Sequence, residues 1–274
     1  EFGGTLRLNT PVKQLKMDGK TVKSILLENG EEHEVDDVVL NADFGYVMTK
    51  LIPNADKILN KWAPAKLDQK KYSCSTFMMY ISLNKFYETP IHVISFAEDY
   101  DKNMKDIAAG NITEDFSVYI RNATAVDPTL SPPGKSGLYV LVPVPNLIKG
   151  KSFDWADPEQ VSFMREMTLK HLEERVGMKD IRENIEAEQI ITPKNWEEER
   201  NVYQGAVFSL AHNILQLLTF RPRNKFEELN NVYIAGAGTH PGSGLPTIYE
   251  SGRITTDLIC QKYGIKYDRG SYVS

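Results

Sequence analysis

Apolar residues in this chain follow two periods: short runs with alternation every second residue, and longer runs spaced near three and four. Leu6 and Leu8 alternate with polar neighbours and predict a half-buried strand. Residues 12–17, 21–28 and 35–40 predict three more, the last as a buried run, with Asp18-Gly19 and Asn29-Gly30 as hairpin turns between them. Residues 46–62 predict a helix carrying Val47, Leu51, Ile58 and Leu59, with Pro53 as a kink or boundary. Further strands are predicted over 73–83, 91–96, 116–121, 137–144 and 186–191. The Met78-Met79 pair in the first of these reads as core.

Other stretches are read from capping and turn chemistry. Glu98-Asp99-Tyr100-Asp101 lacks the glycine and the terminal glutamate of a calcium loop, and reads as a solvated acidic turn. Pro128, Pro132, Pro133 and Gly134 mark a structured loop. Asp157 is a suitable cap, Pro158 suits the first helical position, and Val161, Met164, Thr168, Leu172 and Val176 continue the helix to Gly177. His171 on that helix reads as a surface residue. Residues 193–201 form a further helix or a loop.

The rest of the chain is organised around residues 231–264, NNVYIAGAGTHPGSGLPTIYESGRITTDLICQKYG. Residues 232–235 predict a buried strand, and Gly236, Gly238, Gly242 and Gly244 follow it. Pro246 opens a helix whose Ile248, Gly252, Thr255 and Ile259 share a face, and Gly264 ends it. A strand, a glycine-rich loop and a helix N-terminus can cradle a phosphate or another electron-rich group. The loop is not a dinucleotide fingerprint. After Gly236-x-Gly238 the third glycine comes one place late, and after Gly242-x-Gly244 Thr247 stands where glycine or alanine belongs.

Composition narrows the classes. The 274 residues make one large or two modest domains, and the 41% hydrophobic and 25% charged fractions are ordinary for a globular protein. A net charge of −5 speaks against a nucleic-acid partner. Cys74 and Cys260 fit no metal spacing and suggest a reducing compartment. The five histidines are scattered, so no zinc site is expected. No run reaches the roughly 18 apolar residues of a membrane span.

The segment NVYIAGAGTHPGSGLP resembles the C-terminal flavin motif of the bacterial-type carotenoid desaturases, the family of phytoene and diapophytoene desaturases. DPTLSPPGKSGLYVLVPVP over 127–145 and GAVFSLAHNILQLLTFRPR over 205–223, with its Phe220-Arg221-Pro222, are similar to the same family, as is the opening through Asp43. The resemblance implies a mixed α/β fold: the C-terminal portion of a FAD-binding Rossmann-like flavoprotein with an inserted substrate domain. It implies a flavin-domain meander over 1–48, a substrate domain over 49–204 and a return to the flavin domain over 205–274. It also implies a preceding Rossmann segment for the ADP part of FAD, without which this chain would hold FAD weakly or not at all.

As implied cofactor contacts, the resemblance gives Val12, Gly236, Ala237, Gly238, Thr239, Gly244, Leu245, Pro246 and Thr247. Ala237 stands where many such flavoproteins carry an acidic residue bonded to the ribityl chain. His240 and Arg221 lie in matching motifs as weak catalytic candidates, with loop fixing as the plainer role. The implied reaction is FAD-dependent desaturation of an apolar polyene such as phytoene or diapophytoene. Isomerisation, saturation or oxidation of a carotenoid, or mere binding of an apolar ligand by a non-catalytic fragment, are the alternatives. A hydrocarbon substrate places the complete enzyme in the cytoplasm, peripheral on the membrane.

Overall fold

The computed structural model describes residues 3–148 and 152–266. They form two compact units, Glu1–Tyr72 with Phe208–Ser274 and, inserted between, Ser73–Val207. The insertion therefore begins later than the sequence suggested: not after 48 but after Tyr72. The reason is packing. Val47, Met48, Leu51, Ile52, Leu59, Trp62 and Leu67 join the core of the first unit, with Phe226, Val232 and Ile234. The inserted unit ends at Val207, and residues from 267 on lie outside the described part.

The first unit opens with a three-stranded antiparallel sheet of β1 (Val12–Asp18), β2 (Thr21–Leu27) and β3 (Glu32–Glu34). Asp18 pairs with Thr21, so Gly19 and Lys20 make a two-residue turn, with Gly19 at φ +55°. The Asn29-Gly30 turn joins β2 to β3. Leu6 and Leu8 do not form a strand; they are exposed, and Asn9 between them and β1 takes φ +52°, which breaks the extended run. Of the strand expected over 35–40, only the last three residues form one. The chain leaves β2 after β3 and continues as β4 (Val38–Leu40), which pairs with β10 (Val232–Ile234) in a separate parallel sheet.

The helix expected over 46–62 is a series of short turns. These are α1 (Phe44–Tyr46), a π-helical turn Val47–Leu51, α2 (Ala55–Ile58) and, beyond it, α3 (Pro64–Leu67). Pro53 lies at the break between the second and third of these. Phe44 packs edge-on to Trp62 at 5.2 Å and to Phe226 at 6.0 Å, which anchors the turns to the core.

The second unit is a five-stranded antiparallel sheet in the order β6-β7-β8-β5-β9. Its strands are β5 (Ser75–Leu83), β6 (His92–Ser95), β7 (Val118–Asn122), β8 (Ser136–Val144) and β9 (Ile185–Ile191). Alternation sends Phe77, Met79, Ile81, Ile120, Leu138, Val140 and Val142 to one face, where α5 (Pro158–Glu174) contributes Met164, Leu169 and Leu172 to the same core. Asp157 caps α5 by accepting the Glu159 N–H at 2.9 Å. The acidic run at 98–101 is exposed and begins as a turn, and it leads into a helix: Asp99 caps α4 (Tyr100–Ala109) by accepting from Lys102 N. Residues after Thr192 form α6 (Pro193–Glu198), held by a reciprocal capping box with Asn195.

His171 is another correction. It is buried on α5, stacked on Phe116 at 5.6 Å, with Nε2 2.7 Å from the Ser95 hydroxyl. Burial, aided by the charge of Arg175, lowers its pKa to about 4. Period alone placed it on a polar face; the β6 strand and Phe116 that cover it come from distant sequence.

Candidate functional site

The glycine-rich crossing from β10 into α7 (Leu245–Lys262) lies wholly in the first unit. It brings Gly236, Ala237, Gly238, Thr239, Gly244, Leu245, Pro246 and Thr247 into one loop and helix start. Val12 stands elsewhere, half-buried at the start of β1.

The glycines here do different work. Gly238 is buried beneath the loop: a Cβ there would lie 2.5 Å from Phe44 Cβ, so only hydrogen lets loop and core meet. Gly236 has φ +108° and gives its N–H to Ser251 Oγ at 2.7 Å. Gly244 is exposed at φ +114°, and a Cβ would meet only Thr247 Oγ1, at 3.2 Å. It is the N-cap residue of the 18-residue α7, and no side chain caps that helix. Leu245 and Pro246 are exposed, and the Thr247 hydroxyl turns back to the carbonyls of Gly242, Ser243 and Gly244. The start of α7 is thus open in front, with the positive end of its dipole accessible.

Thr239 points the other way. It is fully buried and donates its hydroxyl to Pro222 O at 2.7 Å, so its side chain belongs to the loop's underside. Arg221 is fully buried too. Its guanidinium donates to Thr239 O at 3.1 Å, Ala237 O at 2.8 Å, Leu210 O at 3.1 Å and Gln216 O at 3.3 Å. Burial lowers its pKa to about 10, still cationic at neutral pH. Such an arginine fixes backbone. His240 lies in the loop before Pro241, and its carbonyl accepts from Asn224 Nδ2 at 3.0 Å.

Several supporting residues left no sequence signal. Asn224 Nδ2 reaches the carbonyls of Ile234, His240 and Ser251, joining strand, loop and helix. Asn231 binds both backbone groups of Val22 and the carbonyl of Asp36. Asn41 donates to Ala235 O at 3.1 Å. His212 Nε2 accepts from Ser243 N at 3.1 Å, which requires a neutral ring, and burial followed by the Arg221 charge lowers its pKa. Each is a lone polar residue in an irregular stretch, and only its remote partners give it meaning.

The loop's geometry and the comparisons now converge. Residues 1–260 match the sequence profile of the flavin containing amine oxidoreductases, and the chain belongs to that family. Among carotenoid desaturases, the 4,4'-diapophytoene desaturase (4,4'-diapolycopene-forming) of Methylomonas sp is 47% identical over 97% of this chain and 51% of the relative. The all-trans-zeta-carotene desaturase of Myxococcus xanthus is 39% identical over 96% of this chain and 50% of its own length. The chain therefore spans about half the length of these curated relatives. In fold it resembles cyclohexylamine oxidase from Brevibacterium oxydans, with a TM-score of 0.54 over 93% of this chain and 48% of that one at 10% identity. A putrescine oxidase bound to putrescine gives a TM-score of 0.53 at 14% identity, over 92% and 49% of the two chains.

The residues fit a flavin. The fit rests on the open, uncapped start of α7 behind Gly244, where an electron-rich edge can approach the backbone.

Proposed function

We propose that the complete protein is a FAD-dependent desaturase of an apolar polyene such as diapophytoene or phytoene. The observation that carries this is the exposed, uncapped N-terminus of α7 directly after the glycine loop, in a chain so similar to diapophytoene desaturase. When bound, the flavin supplies a hydride acceptor, which no side chain can. The first turn of α7 stabilises negative charge at its mouth. Gly244 leaves the approach clear, and Gly238 seats the loop on Phe44. Arg221 holds the loop carbonyls rather than moving a proton. In this reading Val12 lies in the flavin domain, and the inserted unit is the substrate domain.

Among the described residues no helix is long and apolar enough to cross a membrane. Membrane contact is proposed as peripheral and cytoplasmic, and the exposed Ile214, Leu215, Leu218 and Phe220 of one short segment support it. Flotation of the complete protein with liposomes tests this; activity on liposome-borne polyene without flotation refutes it.

The test of function is product analysis after incubating the complete, FAD-loaded protein with diapophytoene or phytoene in liposomes. Wild type is expected to extend the conjugation, and Gly244→Val to lose flavin retention and turnover together. An isomerised or saturated product would move the assignment to another carotenoid reaction. Unchanged FAD affinity and turnover in Gly244→Val would remove the flavin from this loop.

A further inference from the structure

The second unit has a face that its core does not use. Opposite Phe77 and Val140, the same strands present Tyr80, Ser82, Gly137, Tyr139, Tyr119 and Arg121. The register sets these residues in rows across the sheet. Gln189, Tyr80, Tyr139, Arg121 and His92 follow one another from β9 to β6. One step along the strands, Ala187, Ser82 and Gly137 form the next row.

The two rows differ in height. Within the first row Tyr80 and Tyr139 meet edge to face at 5.4 Å, and Tyr119 backs Tyr139 from the row beyond at 6.0 Å, so the three rings make a continuous aromatic wall. Tyr119 is fixed in turn by its hydroxyl, 2.7 Å from His92 Nδ1. The neighbouring row carries almost no side chain and forms a floor. At Gly137 a Cβ would find only Ser131 Oγ, at 3.8 Å. Wall and floor enclose a trough of about 500 Å³, within the usual range of small-molecule sites. Arg121 stands at its rim.

We infer that this trough binds a stretch of the conjugated chain of the polyene substrate, lying across the strands over Ser82 and Gly137 and against the tyrosine wall. The inference rests on the desaturase reading above and extends it to substrate binding. A polyene is flat, rod-like and without hydrogen-bonding groups. A shallow trough with an aromatic wall and a floor of small residues matches it better than a closed polar pocket would. Its π-electrons meet ring edges and faces along the wall and a guanidinium at the rim. Crossing from β9 to β8 spans two strand spacings, about 10 Å, so the trough holds part of a long chain. Burial, with Tyr80 and Tyr119 alongside, raises the Tyr139 pKa, so the Tyr139 ring stays uncharged.

Gly137 makes the test clean, because the residue has no positive φ and free space over it. In the complete, FAD-loaded protein, Gly137→Leu fills the trough. Diapophytoene in liposomes is the probe, with polyene retained on immobilised protein, KM, kcat, FAD content and melting temperature as readouts. The expected result is at least a ten-fold loss of retained polyene and a similar rise in KM, with FAD content unchanged. Ser82→Leu is expected to do the same, and Tyr80→Ala to weaken retention several-fold while Tyr80→Phe restores it; these decide the matter if Gly137→Leu does not fold. Normal retention and KM in folded Ser82→Leu and Tyr80→Ala would overturn the trough and leave the desaturase reading standing. A wild-type protein that neither retains nor desaturates polyene would sink both.

Discussion

Around the β10–α7 crossing, Arg221, Asn224, Asn231, Thr239, Ser251 and Thr255 are buried, and most of their bonds go to backbone carbonyls. In the five-stranded sheet the buried side chains are mostly Val, Leu, Ile, Met and Phe on one face. The crossing must hold an irregular backbone whose polar groups have no ladder to join, so side chains supply the partners. The sheet satisfies its backbone through strand pairing and asks its side chains only for volume and apolarity. Tolerance to substitution should therefore differ: direction matters in the crossing, and size in the sheet.

The sharpest way to break that contrast is Arg221→Leu. It keeps an apolar stem but strands four loop carbonyls, and the expected loss is about 3 kcal/mol or more by urea denaturation. A loss below that of a single sheet methylene would show that water replaces the guanidinium. Gly238→Ala comes next: a Cβ 2.5 Å from Phe44 Cβ overpacks the core by about 2 kcal/mol, read as a fall in melting temperature.

The third expectation concerns pH. His171 is held neutral in the fold, with a pKa of about 4 against the ordinary histidine value of 6.5. The unfolded chain takes the proton first, so this contribution is complete above pH 6.5 and disappears as pH falls towards 4. The expected loss is roughly 2 kcal/mol. His171→Gln, which can still reach Ser95, should flatten the stability profile over that window; an unchanged slope would assign it to the carboxylates.

In the sheet, Leu138→Met preserves volume at a buried position and should cost under about 1.5 kcal/mol in the same denaturation series. The smallest effect closes the series. Gly252→Ala in α7 adds a methyl with nothing within 4 Å and should stabilise the chain by about 0.5–1 kcal/mol. A destabilisation would reveal a close neighbour on that helix face.

What the sequence revealed follows the same division. Alternation found the strands of the second unit, Asp18-Gly19 and Asn29-Gly30 found the hairpins, and the Asp157-Pro158 pair found α5. All of these are local signals. The glycine loop was visible as a loop, but Gly238 as a packing glycine and Gly244 as an open one look identical in sequence, because Phe44 lies almost two hundred residues away. His171 was misjudged for the same reason: Ser95 and Phe116 are brought over it by tertiary structure. The acidic turn at 98–101 was legible, but not that Asp99 in it caps a helix. The small floor at Ser82 and Gly137 became meaningful only once the register aligned them.

The parallel pairing of β4 with β10 also sets a schedule for synthesis. Leu40 waits for Ile234, almost two hundred residues later. At about 5–20 residues per second that delay is roughly 10–40 s. All strands of the inserted unit, up to Ile191, emerge within the interval. The insertion can thus finish folding on the ribosome while the unit that flanks it in sequence is still in two pieces. Until β10 arrives, β4 is a nascent strand with an open edge and apolar Val38, Val39 and Leu40. Such an edge pairs readily with a neighbouring chain, so the burden on chaperones falls on the first unit, late in translation.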